Sequence, residues 1–167
     1  MHIFLVDERY VDDSDKNSNA NLVRNTVGKN AKGFHIVFPN PSLPLQEYVE
    51  DYGKRLNELF ATHGVPDALT LGMGPDGHIA SLFPPVPAES FDENRITLHS
   101  TTEKFAVRDR ISITMPIIKK AKKHVFLMKG KDKLELWNEM ISSNEDHTRW
   151  PAHDVLEEKK TTLIVGV

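Results

Sequence analysis

The chain has 167 residues, enough for one domain with a real core, and its 39% hydrophobic and 27% charged content is that of a folded, soluble protein rather than a disordered one. It contains no cysteine, which excludes a disulfide frame, thiolate catalysis and a thiolate-ligated zinc site, and which is compatible with a cytoplasmic protein. A formal net charge of −3 argues against general nucleic-acid binding, and no apolar run approaches the ~20 residues of a membrane span, so neither nucleic acid nor membrane is expected as a partner.

In chain order, His2 to Val6 reads as a buried strand with Asp7, Glu8 and Arg9 at its carboxyl end. The polar stretch Asp12 to Asn21 is loop by composition, and Ser18 or Asn19 caps a short helix carrying Leu22, Val23 and Val27. Phe34 to Phe38 is a second strand, closed by Pro39-Asn40-Pro41. Ser42 is the expected N-cap of the next helix, with Pro44 in its first turn. That helix sets Leu45, Val49, Tyr52, Leu56, Leu59 and Phe60 on one face, and Gly64 ends it.

Asp67 to Leu71 is a strand feeding a glycine-rich loop, followed by a helical-looking Ala80-Ser81-Leu82-Phe83. Pro84-Pro85-Val86-Pro87 is loop, and Arg95 to His99 and Arg110 to Thr114 alternate like strands with one wetter face. Pro116 opens a short helix ending in Lys119 to Lys123, a run read as a solvated helix end rather than a binding patch. Val125 to Met128 is a buried strand, Leu134, Trp137 and Ile141 mark a helix, Trp150-Pro151-Ala152 is a turn, and Thr161 to Val167 is a last strand. This alternation indicates an α/β fold over residues 1–167: three layers, a doubly wound, mostly parallel sheet with helices on both faces. In such sheets ligands gather at the carboxyl ends of strands, where Asp7-Glu8-Arg9 and the glycine loop both fall.

Chemistry concentrates in Gly72-Met73-Gly74-Pro75-Asp76-Gly77-His78. Glycines permit positive φ and close approach to the backbone, and loop amides together with those of a following helix's first turn make a pocket for an anion or an oxyanion. His78 titrates near neutral pH and acts as a general base, Asp76 fixes its tautomer and steadies its cation, and amides around Gly72 and Gly74 stabilise an oxyanion. The planar fork of Arg9 suits a phosphate or carboxylate clamp, with a structural salt bridge to Glu8 or Asp7 as the alternative; Asp7 holds Arg9 or a ligand hydroxyl. No histidines stand at a metal-ligand spacing such as His-x-x-x-His, so neither metal nor cofactor is expected.

The string Gly72 to His78 with Ser81-Leu82-Phe83-Pro84 resembles the signature of the 6-phosphogluconolactonases, which open 6-phosphoglucono-1,5-lactone in the pentose phosphate pathway. Phe4 to Val11 with Ser18-Asn19, Arg110 to Thr114 with Pro116, Gly130-Lys131-Asp132-Lys133 and Trp150-Pro151-Ala152 follow in the family's order, so the resemblance spans nearly the whole chain. It implies a Rossmann-like fold, His78 as the base for water attack, and Asp7, Arg9, Gly72, Gly74, Gly77, Arg110 and Lys133 around the sugar phosphate. It also implies a monomer or weak dimer in the cytoplasm, and glucose-6-phosphate dehydrogenase as a fusion or functional partner. Family members carry an N-terminal portion with a Gly-Gly-Ser-type loop, and no Gly-Gly-Ser occurs here, so either a segment of a longer or fused protein or an N-terminally shortened homologue is expected. Two alternatives stay open. One is a binding or assembly module that is catalytically incomplete. The other is a glucosamine-6-phosphate isomerase or deaminase, disfavoured because Ala80 to Pro84 lacks the acid that family uses in ring opening.

Overall fold

The computed structural model describes residues 1–30, 33–157 and 161–166. β1 (His2–Phe4) pairs in parallel with β3 (His35–Val37). β4 (Leu69–Leu71) pairs in parallel with β7 (His124–Lys129), whose other edge takes β8 (Thr161–Gly166), again in parallel. β2 (Asp7–Arg9) and β5 (Thr97–Thr101) flank β6 (Asp109–Ile113), both antiparallel. The fold is therefore α/β and mostly parallel as expected, but its ladder is divided into three groups rather than one continuous sheet. A cleft of about 560 Å³ accompanies that division: consecutive residues of β1 and of Asp67 to Thr70 line it, with Leu59, Phe60 and His63 behind.

The first strand breaks at Leu5, where the chain leaves β1 for the antiparallel group. Both Leu5 backbone groups are satisfied by one side chain, since the Tyr52 hydroxyl accepts from Leu5 N (2.9 Å) and donates to Leu5 O (2.8 Å). Burial raises the Tyr52 phenol far above its ordinary value, so this donor stays protonated at any physiological pH. Asp7 to Arg9, read from sequence as the charged end of one strand, is thus a separate strand in another ladder.

Tyr52 belongs to α3 (Leu45–His63), which buries Tyr48, Val49, Tyr52 and Leu56 on one face and ends as expected at Gly64, whose N–H donates to Phe60 O. Its start differs: Pro44 is the N-cap, without a side-chain cap, and Ser42 stands outside the helix. Ser18 does cap α1 (Asn19–Asn25), accepting from Asn21 N. Leu22 and Val27, the latter opening α2 (Val27–Asn30), are exposed, because the helix packs through the small side chain of Ala20. α4 (Met115–Lys120) starts with Pro116 in its first turn, and α5 (Lys131–Ser142) buries Trp137 and Met140 while Ile141 faces out. α6 (Ala152–Glu157) follows the buried Trp150, in a stretch read only as a turn. Arg110 to Ile113 is buried throughout, without the wetter face expected of it, whereas Leu127 in β7 is exposed. Val167, counted with the last strand, lies outside the described residues.

Ala80-Ser81-Leu82-Phe83 forms no helix. Leu82 N donates to Ile79 O (2.9 Å), the same two residues form an isolated bridge, and Ala80 adopts φ +48°. The segment is a tight turn that sinks Ile79, Ser81 and Leu82 into the core. The helix expected directly after the glycine loop, with its first-turn amides, is therefore not formed by Ala80 to Phe83.

Candidate active site

The carboxyl ends of β1 and β4 converge on one cleft of about 270 Å³, the scale of a small metabolite. Asp7, Arg9, Gly72, Gly74, His78 and Arg110 line it together, so residues from both ends of the sequence reading meet. Val6, Asn19, Met73 and Ala80 complete its lining.

The loop from β4 folds back on itself. Gly74 N donates to His78 O (2.8 Å), and Gly77 N donates to Gly74 O (3.1 Å). The imidazole lies directly over Gly74: a Cβ there would come within 2.1 Å of the ring, so only glycine leaves room for His78 in this pose. Gly77 has φ +89° and its missing Cβ would meet Trp150 at 2.6 Å, so it permits both the turn and its packing. The Gly74 N–H is occupied by His78 O, which corrects the expectation that this amide faces an oxyanion.

His78 Nδ1 and Asp76 Oδ1 are 2.5 Å apart. A carboxylate only accepts, so Nδ1 carries the proton and the neutral ring keeps its lone pair on Nε2. No described residue hydrogen-bonds that nitrogen. Phe83 and Phe105 wall the ring at centroid distances of 4.6 and 5.4 Å. Burial holds the imidazole below its ordinary range, outweighing the opposing pull of the Asp76 hydrogen bond and charge, with Arg110 adding to the depression. Burial acts upward on Asp76, but the hydrogen bond and charge of His78, aided by Lys104, hold its carboxyl below the usual range. The pair therefore rests as neutral imidazole and carboxylate at neutral pH.

Two guanidiniums line the cleft together with His78. Arg9 and Arg110 are register partners across β2 and β6. Burial and the neighbouring Arg9 both lower the affinity of Arg110 for its proton, although it remains a cation. Arg110 donates from Nε to Val107 O (3.2 Å) and lies over Phe83 and Phe105. Arg9 Nη1 donates to Asn17 O (2.6 Å) and Asn19 Oδ1 (3.0 Å), while its Nε is buried with no acceptor among the described residues. The Arg9–Glu8 salt bridge considered from sequence does not form. Glu8 is buried and instead accepts from the N–H groups of Arg9, Asn19 and Ala20 and from the Ser18 hydroxyl, tying β2 to the start of α1. Asp7 accepts from Ser81 Oγ (2.6 Å) through Oδ2.

Two expected substrate contacts lie elsewhere. Gly77 packs against Trp150 and Arg149 behind the loop, and Lys133 Nζ donates to Met73 O (2.6 Å), bracing the loop from beneath. Neither lines the cleft. Sequence reading missed Lys104, Phe105 and Arg149. Arg149 donates to Asp76 O (3.0 Å) while stacking on Trp150, 3.6 Å from the ring centroid. The one available signal was the position of Arg149 beside Trp150-Pro151. Among the described residues, no group of three or more His, Asp or Glu side chains is arranged to hold a metal ion.

Comparison with known proteins shows the family to which the chain is similar. The profile of the family described as glucosamine-6-phosphate isomerases/6-phosphogluconolactonase matches residues 1–164. A Dictyostelium discoideum protein named "Probable 6-phosphogluconolactonase" is 42% identical over 167 residues, covering 98% of this chain and 71% of its own length. The crystal structure of 6-phosphogluconolactonase from Thermotoga maritima superposes with a TM-score of 0.83 at 26% identity, covering 99% of this chain and 72% of that one. A "Bifunctional glucose-6-phosphate 1-dehydrogenase/6-phosphogluconolactonase" of Plasmodium falciparum is 28% identical over 169 residues, covering 83% of this chain and 18% of its own.

Proposed function

The chain belongs to the glucosamine-6-phosphate isomerase/6-phosphogluconolactonase family, and from that premise we propose that it hydrolyses 6-phospho-D-glucono-1,5-lactone to 6-phospho-D-gluconate in the oxidative branch of the pentose phosphate pathway. The observation that carries the reading is that His78, paired with Asp76, lines one cleft together with Arg9 and Arg110. A neutral base and a cationic anion site lining one cleft suit an activated ester bearing a phosphate.

His78 Nε2 takes a proton from water as the water oxygen attacks the lactone carbonyl carbon. Asp76 holds Nδ1–H and steadies the imidazolium that forms. The carbonyl oxygen becomes an oxyanion, for which Arg110 and the backbone at Gly72–Met73 offer cationic and polar groups in the cleft. Collapse breaks the bond from the former carbonyl carbon to the ring oxygen, which leaves with the proton returned by His78. Arg9, whose guanidinium lines the cleft, anchors the phosphate. Lys133 and Gly77 support this geometry by holding the loop rather than by touching substrate.

The isomerase branch of the family is the weaker reading, since Ala80 to Pro84 presents no carboxylate beside His78. The fused Plasmodium falciparum relative supports glucose-6-phosphate dehydrogenase as a functional partner, the enzyme that supplies this lactone. We assign the protein to the cytoplasm with its sugar-phosphate substrate, as a monomer or weak dimer.

The test is hydrolysis of freshly generated 6-phosphogluconolactone by wild type and His78→Ala, after subtracting spontaneous opening. Acceleration by wild type with a loss of ~10²–10⁴-fold in the variant is the expected result. A folded wild type no faster than the spontaneous reaction overturns the lactonase reading in favour of a binding module.

A further inference from the structure

The connection between β5 and β6 reaches back over the Asp76–His78 pair. It is a braced tip: Thr102 N donates to Arg108 O (3.3 Å), Lys104 N donates to Thr102 Oγ1 (3.2 Å), and Glu103 pairs with Arg108 at 2.8 Å. This folding directs two consecutive side chains at the site. Phe105 stands edge-on to the imidazole at 5.4 Å and packs on Phe83 at 5.9 Å. Lys104 Nζ approaches Asp76 Oδ2 at 3.4 Å. The two oxygens of Asp76 are thereby divided, Oδ1 to His78 and Oδ2 to Lys104, while the Asp76 carbonyl is held by Arg149.

We propose that Lys104 is a positioning residue for the base: its ammonium occupies Asp76 Oδ2, keeps Oδ1 on His78 Nδ1, and partly neutralises the carboxylate so that the imidazole remains unprotonated and able to accept a proton. This rests on the reading of His78 as the base. Lys104 contributes no group to the substrate cleft. The other charges around the pair are Asp7 from β2, which favours the imidazolium, Arg110 from β6, which opposes it, and Arg149 at the Asp76 backbone. Lys104 is the charge among them that meets the Asp76 carboxylate directly.

Neutralising Lys104 leaves Asp76 with its full charge beside the ring, and the imidazolium gains stability. The Lys104 side chain is 58% exposed, so screening limits the effect. A shift of roughly half a pH unit upward in His78 is expected.

The experiment is an NMR titration of the His78 ring in the folded chain, for wild type, Lys104→Met and Lys104→Arg, with the pH–rate profile measured alongside. The methionine variant should titrate higher and the arginine variant close to wild type. A methionine variant whose His78 titrates with wild type or lower, or an arginine variant that behaves like methionine, overturns the proposal. The ring titration needs no turnover, so a chain without lactonase activity would fail the functional reading while still deciding the role of Lys104. Lys104→Gln serves as a second uncharged variant if the methionine form folds poorly.

Discussion

Ser81 donates its hydroxyl to Asp7 Oδ2 over 2.6 Å, joining residues 74 positions apart. Ser81 is fully buried in the tight turn after the glycine loop, and its own N–H donates to Ser112 Oγ in β6. One small side chain thus ties the strand carrying Arg9 to the loop carrying His78, across the cleft that both line.

Removing that hydroxyl in Ser81→Ala leaves Asp7 Oδ2 without its donor. A hydrogen bond to a charged acceptor contributes about 1.5–3 kcal/mol, and the loss should appear as a lower urea midpoint with an unchanged denaturant slope. Catalysis should fall as well, because the two halves of the cleft lose their register. A variant as stable as wild type would show that the bond holds no weight in the folded chain.

The His78 imidazole is held below its ordinary value, which fixes two signs. For activity, kcat/KM for the lactone should rise with pH to a plateau, with its midpoint below 6.5, because only the neutral ring accepts a proton. For stability, the unfolded chain binds the His78 proton more readily than the folded one. Stability is therefore undiminished by this group above pH 6.5, and falls as pH drops through the window down to the depressed folded value. His78→Gln should remove that part of the pH dependence in parallel denaturation curves. A midpoint at or above 6.5 in the kinetic profile would contradict the burial seen here.

Why some of this was readable and some was not follows from chain separation and residue type. Gly72 to His78 is legible because glycine, proline, aspartate and histidine each narrow the backbone or the chemistry, and their interactions close within the loop. Lys104 and Arg149 reach the same loop from 28 and 73 residues away, and apart from the place of Arg149 beside Trp150-Pro151 no local pattern marks them. Ala80 to Phe83 misleads for the opposite reason. Its composition suits a helix, but Ala80 at φ +48° turns the chain so that Ile79 and Leu82 face inward together. The break at Leu5 is equally silent in sequence, because the group that satisfies its backbone is Tyr52, on a helix 47 residues on.

Arg9 separates a substrate contact from a structural brace. Its Nη1 already serves Asn17 O and Asn19 Oδ1, which fixes the guanidinium plane, while Nε is buried without an acceptor among the described residues. The guanidinium so fixed lines the cleft, where it can meet a phosphate oxygen, and lysine keeps the charge but lacks the fork. Arg9→Lys should therefore lower kcat/KM for 6-phosphogluconolactone by ~10–100-fold, the worth of one charge-assisted hydrogen bond at about 1.5–3 kcal/mol. Hydrolysis of unphosphorylated glucono-1,5-lactone should change little, since no phosphate is present to use the site. Comparing the two substrates in one variant isolates the phosphate contact from any general disturbance of α1. Equal losses on both would mean that Arg9 acts through Asn17 and Asn19 on the shape of the cleft, and that the phosphate is held by Arg110 instead.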